Sequence, residues 1–279
     1  MLKSNSNTVN LNGSLCFITF KSFEAQSGLR HAFSTRLGGV SGGYFGKMNL
    51  SFKVGDQKTD VLENYRILCE NIGIDPAHIV LSQQTHTANV RVVGRHDKGK
   101  GIFCESDFND VDGLITNEPG VAIVTHSADC CLLAFYDPEK RVIAASHAGW
   151  RGTVAEIGRK TIEKMVNEFG CSPENILCAI APSICKNCYE VDYPLFEEFS
   201  KLSYLDLDKI FKSKGNGKFL LDLWEANRQI LTFSGIKNEN IEITDICSCC
   251  NAEYLHSHRA SGGKRGVNGL IMELIGEDL

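Results

Sequence analysis

The sequence predicts an α/β or α+β fold with a mixed sheet covered by helices on both sides. Three observations predict it. Short apolar runs of strand length recur along the chain, segments with helical spacing alternate with them, and no repeat, low-complexity tract or Pro/Ser-rich linker interrupts the series. The 279 residues are 43% hydrophobic and 23% charged, an ordinary composition for a folded soluble domain. The chain therefore reads as a flexible N-terminus over residues 1–12 followed by a single domain over residues 13–279.

The first twelve residues are polar and Asn-rich, which predicts fraying. Leu15 to Phe20 and Arg30 to Ser34 read as strands, the second running into a glycine-rich loop from Gly38 to Gly46. Val61, Leu62, Tyr65, Leu68, Cys69 and Ile72 recur at helical spacing, and Gly73 is placed to end that helix. Segments 79–82, 88–93, 121–124, 131–136 and 142–146 are mostly continuous apolar runs, the pattern of strands buried on both faces. A helix from Val154 to Phe169, a strand at 176–180, helices near 193–201 and 221–233, and a strand at 241–246 complete the series.

Composition excludes several classes of function. A net charge of −5 with no basic block argues against nucleic acid or an anionic membrane as partner. The longest apolar run, Cys130 to Tyr136, is too short to span a bilayer. The N-terminal segment lacks the apolar core of a signal peptide, so the twelve cysteines read as reduced thiols or metal ligands of a cytoplasmic protein.

Three predicted strands end in polar, potentially metal-binding residues: Ser82-Gln-Gln-Thr-His86, Thr125-His-Ser-Ala-Asp-Cys130 and Ser146-His-Ala-Gly-Trp-Arg-Gly152. Strand ends are held by a rigid sheet yet open to a cleft, where α/β folds place their sites. His86, Cys130 and His147 offer two imidazoles and one thiolate, a set that leaves the fourth tetrahedral position of zinc open, as catalytic zinc sites do. Each residue alone has an ordinary reading as a hydrogen-bonded or packed side chain. Cys130 and Cys131 point to opposite faces if the strand is regular, and His126 competes for the same position. Arg151 stands where a strand passes into a helix and Arg36 begins the glycine-rich loop, and both suit an anion. Cys185-Lys-Asn-Cys188 and Cys247-Ser-Cys-Cys250 could form a closed four-thiolate site or remain reduced structural thiols. A cytidine-deaminase site fails, because no His-x-Glu element lies upstream of the first cysteine pair.

Taken together, Gln84-Thr-His86, Ala128-Asp-Cys130 and His147-Ala-Gly-Trp-Arg-Gly152 resemble the YfiH family, also labelled laccase-domain or multicopper polyphenol oxidoreductase proteins. The likeness extends through Phe33 to Ser41, Met48-Asn-Leu50 with Gly55-Asp56, Asp112 to Thr116, Ala181 to Ile184 with Tyr189-Glu-Val191, and Leu221-Asp-Leu223 with Ala226-Asn227. The resemblance implies a single three-layer α/β/α domain with mixed sheets and one metal, usually zinc with copper possible, at His86, Cys130 and His147. It further implies phosphorolysis of adenosine, inosine, guanosine and methylthioadenosine, with deamination of adenosine as a second activity, in a monomer or homodimer. Purine nucleosides and phosphate are the partners so implied.

Roles follow as expectations: Asp129 as proton shuttle, and Arg36, Asn49 and Arg151 for substrate and phosphate. Copper-dependent phenol oxidation, a metal-free Cys/His hydrolase using Cys130 and His147, and a non-enzymatic metal-stabilised binder are the alternatives. The first is disfavoured because multicopper oxidases need many paired histidines and this chain has eight, mostly isolated. Two stretches depart from the family pattern, Ala181 and the segment Ser257-His-Arg-Ala with Lys264 to Asn268, so the family's C-terminal contribution to the substrate pocket does not carry over directly.

Overall fold

The computed structural model describes residues 2–276; Met1 and residues 277–279, the outermost ends of the two expected segments, lie outside the described residues. The first half contains β1 (Asn7–Asn12), β2 (Leu15–Phe20), α1 (Lys21–Glu24), β3 (Leu29–Ser34), α2 (Lys58–Ile72), β4 (Ile79–Leu81), β5 (Val90–Val92), β6 (Gly113–Thr116), β7 (Ala122–Ser127) and β8 (Cys131–Asp137). The second half contains β9 (Val142–Ala148), α3 (Trp150–Val154), α4 (Ile157–Phe169), β10 (Leu177–Ile180), β11 (Glu190–Asp192), α5 (Tyr193–Ser200), α6 (Leu207–Ile210), β12 (Phe211–Gly215), β13 (Lys218–Leu221), α7 (Leu223–Phe233), β14 (Ile241–Ile243), α8 (His258–Ser261) and β15 (Asn268–Leu274).

Two six-stranded mixed sheets, ordered β1-β2-β3-β15-β7-β4 and β14-β10-β8-β9-β6-β5, carry the architecture, with a three-stranded sheet β11-β13-β12 beside them. The parallel pairs are β4 with β7, β5 with β6 and β10 with β14. The two large sheets pack face to face, burying Leu132, Ala134, Tyr136, Ile143 and Ala145 against Phe33, Ile123, Leu270 and Met272. Successive side chains of a strand alternate faces, so Cys131, Leu133 and Phe135 meet Ile157, Ile162 and Met165 of α4 and Ile230 and Leu231 of α7. On the far side, Ile79, Leu81, Ala122, Val124 and Ile271 pack against Val61, Tyr65, Leu68 and Cys69 of α2. Helices thus cover both outer faces, and the β layer of the expected α/β/α arrangement is itself double. Burial on two faces accounts for the continuous apolar runs. Full burial of a side chain such as Phe135 contributes roughly 1.5–3 kcal/mol. Among the described residues, no helix is long and apolar enough to cross a membrane.

Helix α2 ends as its sequence predicts: Gly73 adopts φ 73° and its N–H caps the Cys69 carbonyl. Beyond short elements that were not expected, β11, β12, β13, α6 and α8 among them, three differences bear on the architecture. Residues 7–12 pair along their whole length with β2 instead of fraying. They are anchored by the buried Asn7, which accepts from the Thr244 hydroxyl at 2.8 Å and donates to Glu242 at 2.7 Å. The helix expected from Val154 breaks at Glu156, where φ is 58°. The preceding turn, α3, stays tied to β9 and α7, because the Thr153 hydroxyl donates to the Ala148 carbonyl and accepts from Asn227 Nδ2. Strand β15 was not expected, yet it lies between β3 and β7. Its Gly269 gives little strand signal; a Cβ there would stand 2.8 Å from Leu50 Cδ1, so a larger residue would have to displace the Leu50 side chain.

Candidate metal centre

Four strands deliver the site. The loop after β4 carries His86, the turn between β7 and β8 carries Asp129 and Cys130, and β9 ends in His147. Because β4 and β7 belong to one large sheet and β8 and β9 to the other, the site lies where the two sheets meet. The ligand atoms of His86, Cys130 and His147 all lie within 4.8 Å of one another. The two imidazole rings stand 4.9 Å apart, nearly perpendicular at 80°.

Asp112, at the start of β6, organises this geometry. Its fully buried carboxylate accepts backbone N–H groups from Thr85 at 2.8 Å, His86 at 3.1 Å and Thr87 at 3.1 Å. It also faces His147 Nδ1 at 2.8 Å, which leaves Nε2 of that ring for the site. Burial alone would raise the Asp112 carboxyl, but the His147 contact and the amide donors bring it below the ordinary value. A carboxylate behind a ligating histidine fixes ring orientation and tautomer, the usual outer-shell device of a metal site.

The chain is bent to reach the site. His86 sits at φ 68° and Asp129 at φ 93°, two non-glycine residues in the left-handed region. Such conformations cost about 1–3 kcal/mol each and persist only where neighbours hold them. Asp112 holds the first. For the second, the Asp129 carbonyl accepts from Ile184 N–H at 2.9 Å, and its carboxylate oxygens accept from the Ser248 hydroxyl and the Arg259 N–H, both at 2.6 Å. Gln84 continues the sheet edge: its side-chain amide pairs with both backbone groups of His126 at 2.8 Å. Gly149 closes the site from behind, where a Cβ would stand 2.9 Å from Cys130 Sγ and 3.4 Å from His86 Cδ2.

Electrostatics favour an anionic sulfur. Burial raises the Cys130 thiol, but His147 and His86 outweigh it and bring the group down to about 6. Burial lowers His147, and Cys130 with Asp112 carries it up to about 9. The neighbouring Cys131 faces the core, where burial pushes it up to about 12. A thiolate with two imidazoles is a donor set that suits zinc or copper, and three ligands leave a position open.

A cavity of about 370 Å³ opens beside His86, lined among others by Phe52, Lys53, Gln84, His126 and Arg265. Arg265 Nε is buried without a hydrogen-bond partner. Arg36 and Arg265 both depress the buried His256, after the larger effect of burial itself, so the two guanidinium groups share one neighbourhood.

The other expected site residues are placed less simply. Arg36 donates from Nη1 to the Ala252 carbonyl at 2.7 Å. Arg151 is exposed, its guanidinium 4.3 Å from the Trp150 ring centroid. Asn49 is fully buried, with Nδ2 donating to Ser51 O and Asp56 Oδ2 and Oδ1 accepting from the N–H groups of Ser51 and Val267. Both polar side-chain atoms of Asn49, expected to contact substrate, are thus engaged within the chain, where they tie Ser51, Asp56 and Val267 together. His126 does not join the three candidate ligands; its Nε2 lies 2.6 Å from the Tyr65 hydroxyl. Sequence reasoning gave no role to Asp112 or Arg265. The acidic residue opening an apolar strand at Asp112-Gly-Leu-Ile was the available signal for the former.

Residues 30–276 match the family model described as multi-copper polyphenol oxidoreductase laccase. The chain belongs to this family. Among its relatives, a purine nucleoside phosphorylase of Bacteroides thetaiotaomicron is 36% identical over 91% of this chain and 95% of its own. The purine nucleoside phosphorylase YlmD of Bacillus subtilis is 34% identical over 88% of this chain and 87% of its own. A protein named adenosine deaminase RL5, from an unknown prokaryotic organism, is 34% identical over 85% of this chain and 89% of its own. The fold is that of the YfiH protein of Bacillus licheniformis, with a TM-score of 0.90 at 28% identity over 95% of this chain and 98% of that one. Its α+β class with mixed sheets is the class predicted from the sequence.

Proposed function

We propose that this family member is a zinc-dependent purine nucleoside phosphorylase, acting on adenosine, inosine, guanosine and S-methyl-5'-thioadenosine, with adenosine deamination as a second activity in the cytoplasm. One observation carries the reading: an open set of two imidazoles and one thiolate, braced by Asp112, stands beside a cavity with room for a nucleoside and two cations on its wall. The names of the relatives at 34–36% identity support it.

His86, Cys130 and His147 would hold the metal, which when bound supplies Lewis acidity and makes a coordinated water more acidic. The remaining work falls to the chain. Phosphorolysis requires a phosphate held against the ribose while positive charge develops on the sugar. Arg265, with its unpartnered buried Nε, is the first candidate to hold it, supported by Lys53 on the same cavity wall and by Arg36, which shares the His256 neighbourhood; Arg151 keeps the anion role its place in the sequence suggests. Phe52 offers an apolar ring for the base. Asp129 has both carboxylate oxygens engaged, which supports a positioning role for the Cys130 loop over the proton-shuttle role.

Single replacement of His86, Cys130 and His147 by Ala, assayed for free base released with and without phosphate, tests the reading. Activity should fall by more than the roughly 10–100-fold typical of losing an outer-shell partner. Unchanged phosphorolysis in all three variants would overturn it. A second reading, a metal-free cysteine hydrolase, is favoured by one feature: Cys130, His147 and Asp112 stand in the order nucleophile, base and orienting carboxylate. Activity that survives complete chelation would select that reading, and phenol oxidation restored only by copper would select the laccase chemistry of the family description.

A further inference from the structure

Cys185, Cys188, Cys247 and Cys250 bring their four Sγ atoms within 4.8 Å of one another, in a part of the fold that the metal centre does not use. We propose that these four thiols form a second, closed metal site that binds zinc as a tetrathiolate and locks the two loops that hold the Cys130 turn. The inference does not depend on which reaction the protein catalyses.

Geometry supports it first. Zn–S bonds of about 2.3 Å in a tetrahedron place sulfurs about 3.8 Å apart, so the present spread needs only small side-chain rotations to close. The sulfurs of Cys188 and Cys250 are already 3.4 Å apart. Each loop contributes a Cys-x-x-Cys pair, the spacing that lets one tight turn aim two sulfurs at one point. Cys247 Sγ accepts two backbone N–H groups, from Cys185 at 3.3 Å and from Cys250 at 3.4 Å, as a thiolate in a metal-binding turn would. Four protein ligands leave no open position, which marks a structural site.

The surroundings say what the site would hold. The loops meet through little regular structure, a single bridge between Ser183 and Cys247. Yet from them Ser248 and Ile184 reach Asp129, the strained residue beside Cys130. Arg259, whose N–H holds the other Asp129 oxygen, donates its guanidinium to the carbonyls of Cys188 and Glu190. A metal linking the two cysteine pairs would therefore restrain the turn that presents Cys130.

The test is metal content of the full chain purified under reducing conditions, with cobalt replacing zinc for spectroscopy. Wild type should bind two equivalents. His86→Ala/His147→Ala should retain one equivalent, whose cobalt form shows the intense sulfur-to-cobalt charge-transfer bands of an all-thiolate tetrahedral site. Adding Cys250→Ser, a change at the exposed ligand, should abolish that signal, whereas Cys249→Ser should leave it unchanged. Loss of all bound metal in His86→Ala/His147→Ala would overturn the proposal. So would wild-type metal content in Cys188→Ser/Cys250→Ser, or a Cys188–Cys250 disulfide in place of metal in folded wild type.

Discussion

Replacing Asp112 by Asn keeps the size of the side chain and removes its charge and one acceptor. The carboxylate divides its work: Oδ1 accepts from Thr85 and Thr87, while Oδ2 accepts from His86 N–H and faces His147 Nδ1. An amide can present oxygen to only one of these sides. With oxygen toward Thr85 and Thr87, its NH₂ confronts the His86 amide and turns His147 to the tautomer whose Nε2 carries the proton, so the ring cannot ligate. With the amide reversed, the Thr85 and Thr87 amides lose their acceptor. The first orientation strands one buried donor, the His86 N–H, and the second strands two, at about 1–3 kcal/mol each, so a loss of about 1–6 kcal/mol of stability is expected. Metal affinity should fall about 10–100-fold, equivalent to roughly 1.4–2.8 kcal/mol. Urea unfolding gives the first quantity, and titration against a competing chelator, on variant shown to be folded by circular dichroism, gives the second. Wild-type metal affinity in folded Asp112→Asn would refute the claim that this carboxylate sets the His147 tautomer.

Other perturbations probe separate parts of the argument. Gly149→Ala should weaken metal binding while preserving the fold, because its Cβ would press on Cys130 Sγ at 2.9 Å, and chelator competition reads this directly. Asn49→Ala should destabilise by about 2–5 kcal/mol in chemical denaturation, since it strands buried donors, with kcat of the folded fraction near wild type. Acid should destabilise the fold through buried histidines. Burial holds His31 down to about 4 and His256 down to about 3, so unfolding lets both take up protons near 6.5. The unfolded chain therefore binds more protons below that pH, and stability is lost as pH falls from about 6.5 toward 4, by up to roughly 3 kcal/mol per histidine. Thermal melts across that range check it, and a Tm that does not fall would refute neutral burial of these rings.

The strand runs were readable because they are apolar throughout, and the sheet pair explains why: β8 and β9 are buried on both faces. Strand β1 was hidden by its polar composition, since an edge strand satisfies a ladder with few apolar residues. The candidate ligand residues could be read because each stands beside an apolar run and offers a soft or nitrogen donor at a strand end. The intrachain hydrogen bonds of Asn49 were not legible, because a motif reports that a residue type matters without saying where its polar atoms point.

The sequence by itself determined the alternation of strands and helices, the family, and the donor types available at strand ends, since these depend on periodicity and residue chemistry within short windows. Tertiary structure decided which donors converge. Asp112 gains its role only when β6 lies beside β9, as the pairing of Gly113 with Ser146 shows. Asp129 gains its role only when the loops at Ser183 and Ser248 close around it. Both depend on the direction of side chains from elements far apart in the chain, and that direction is set by packing and left-handed backbone turns that no local pattern encodes.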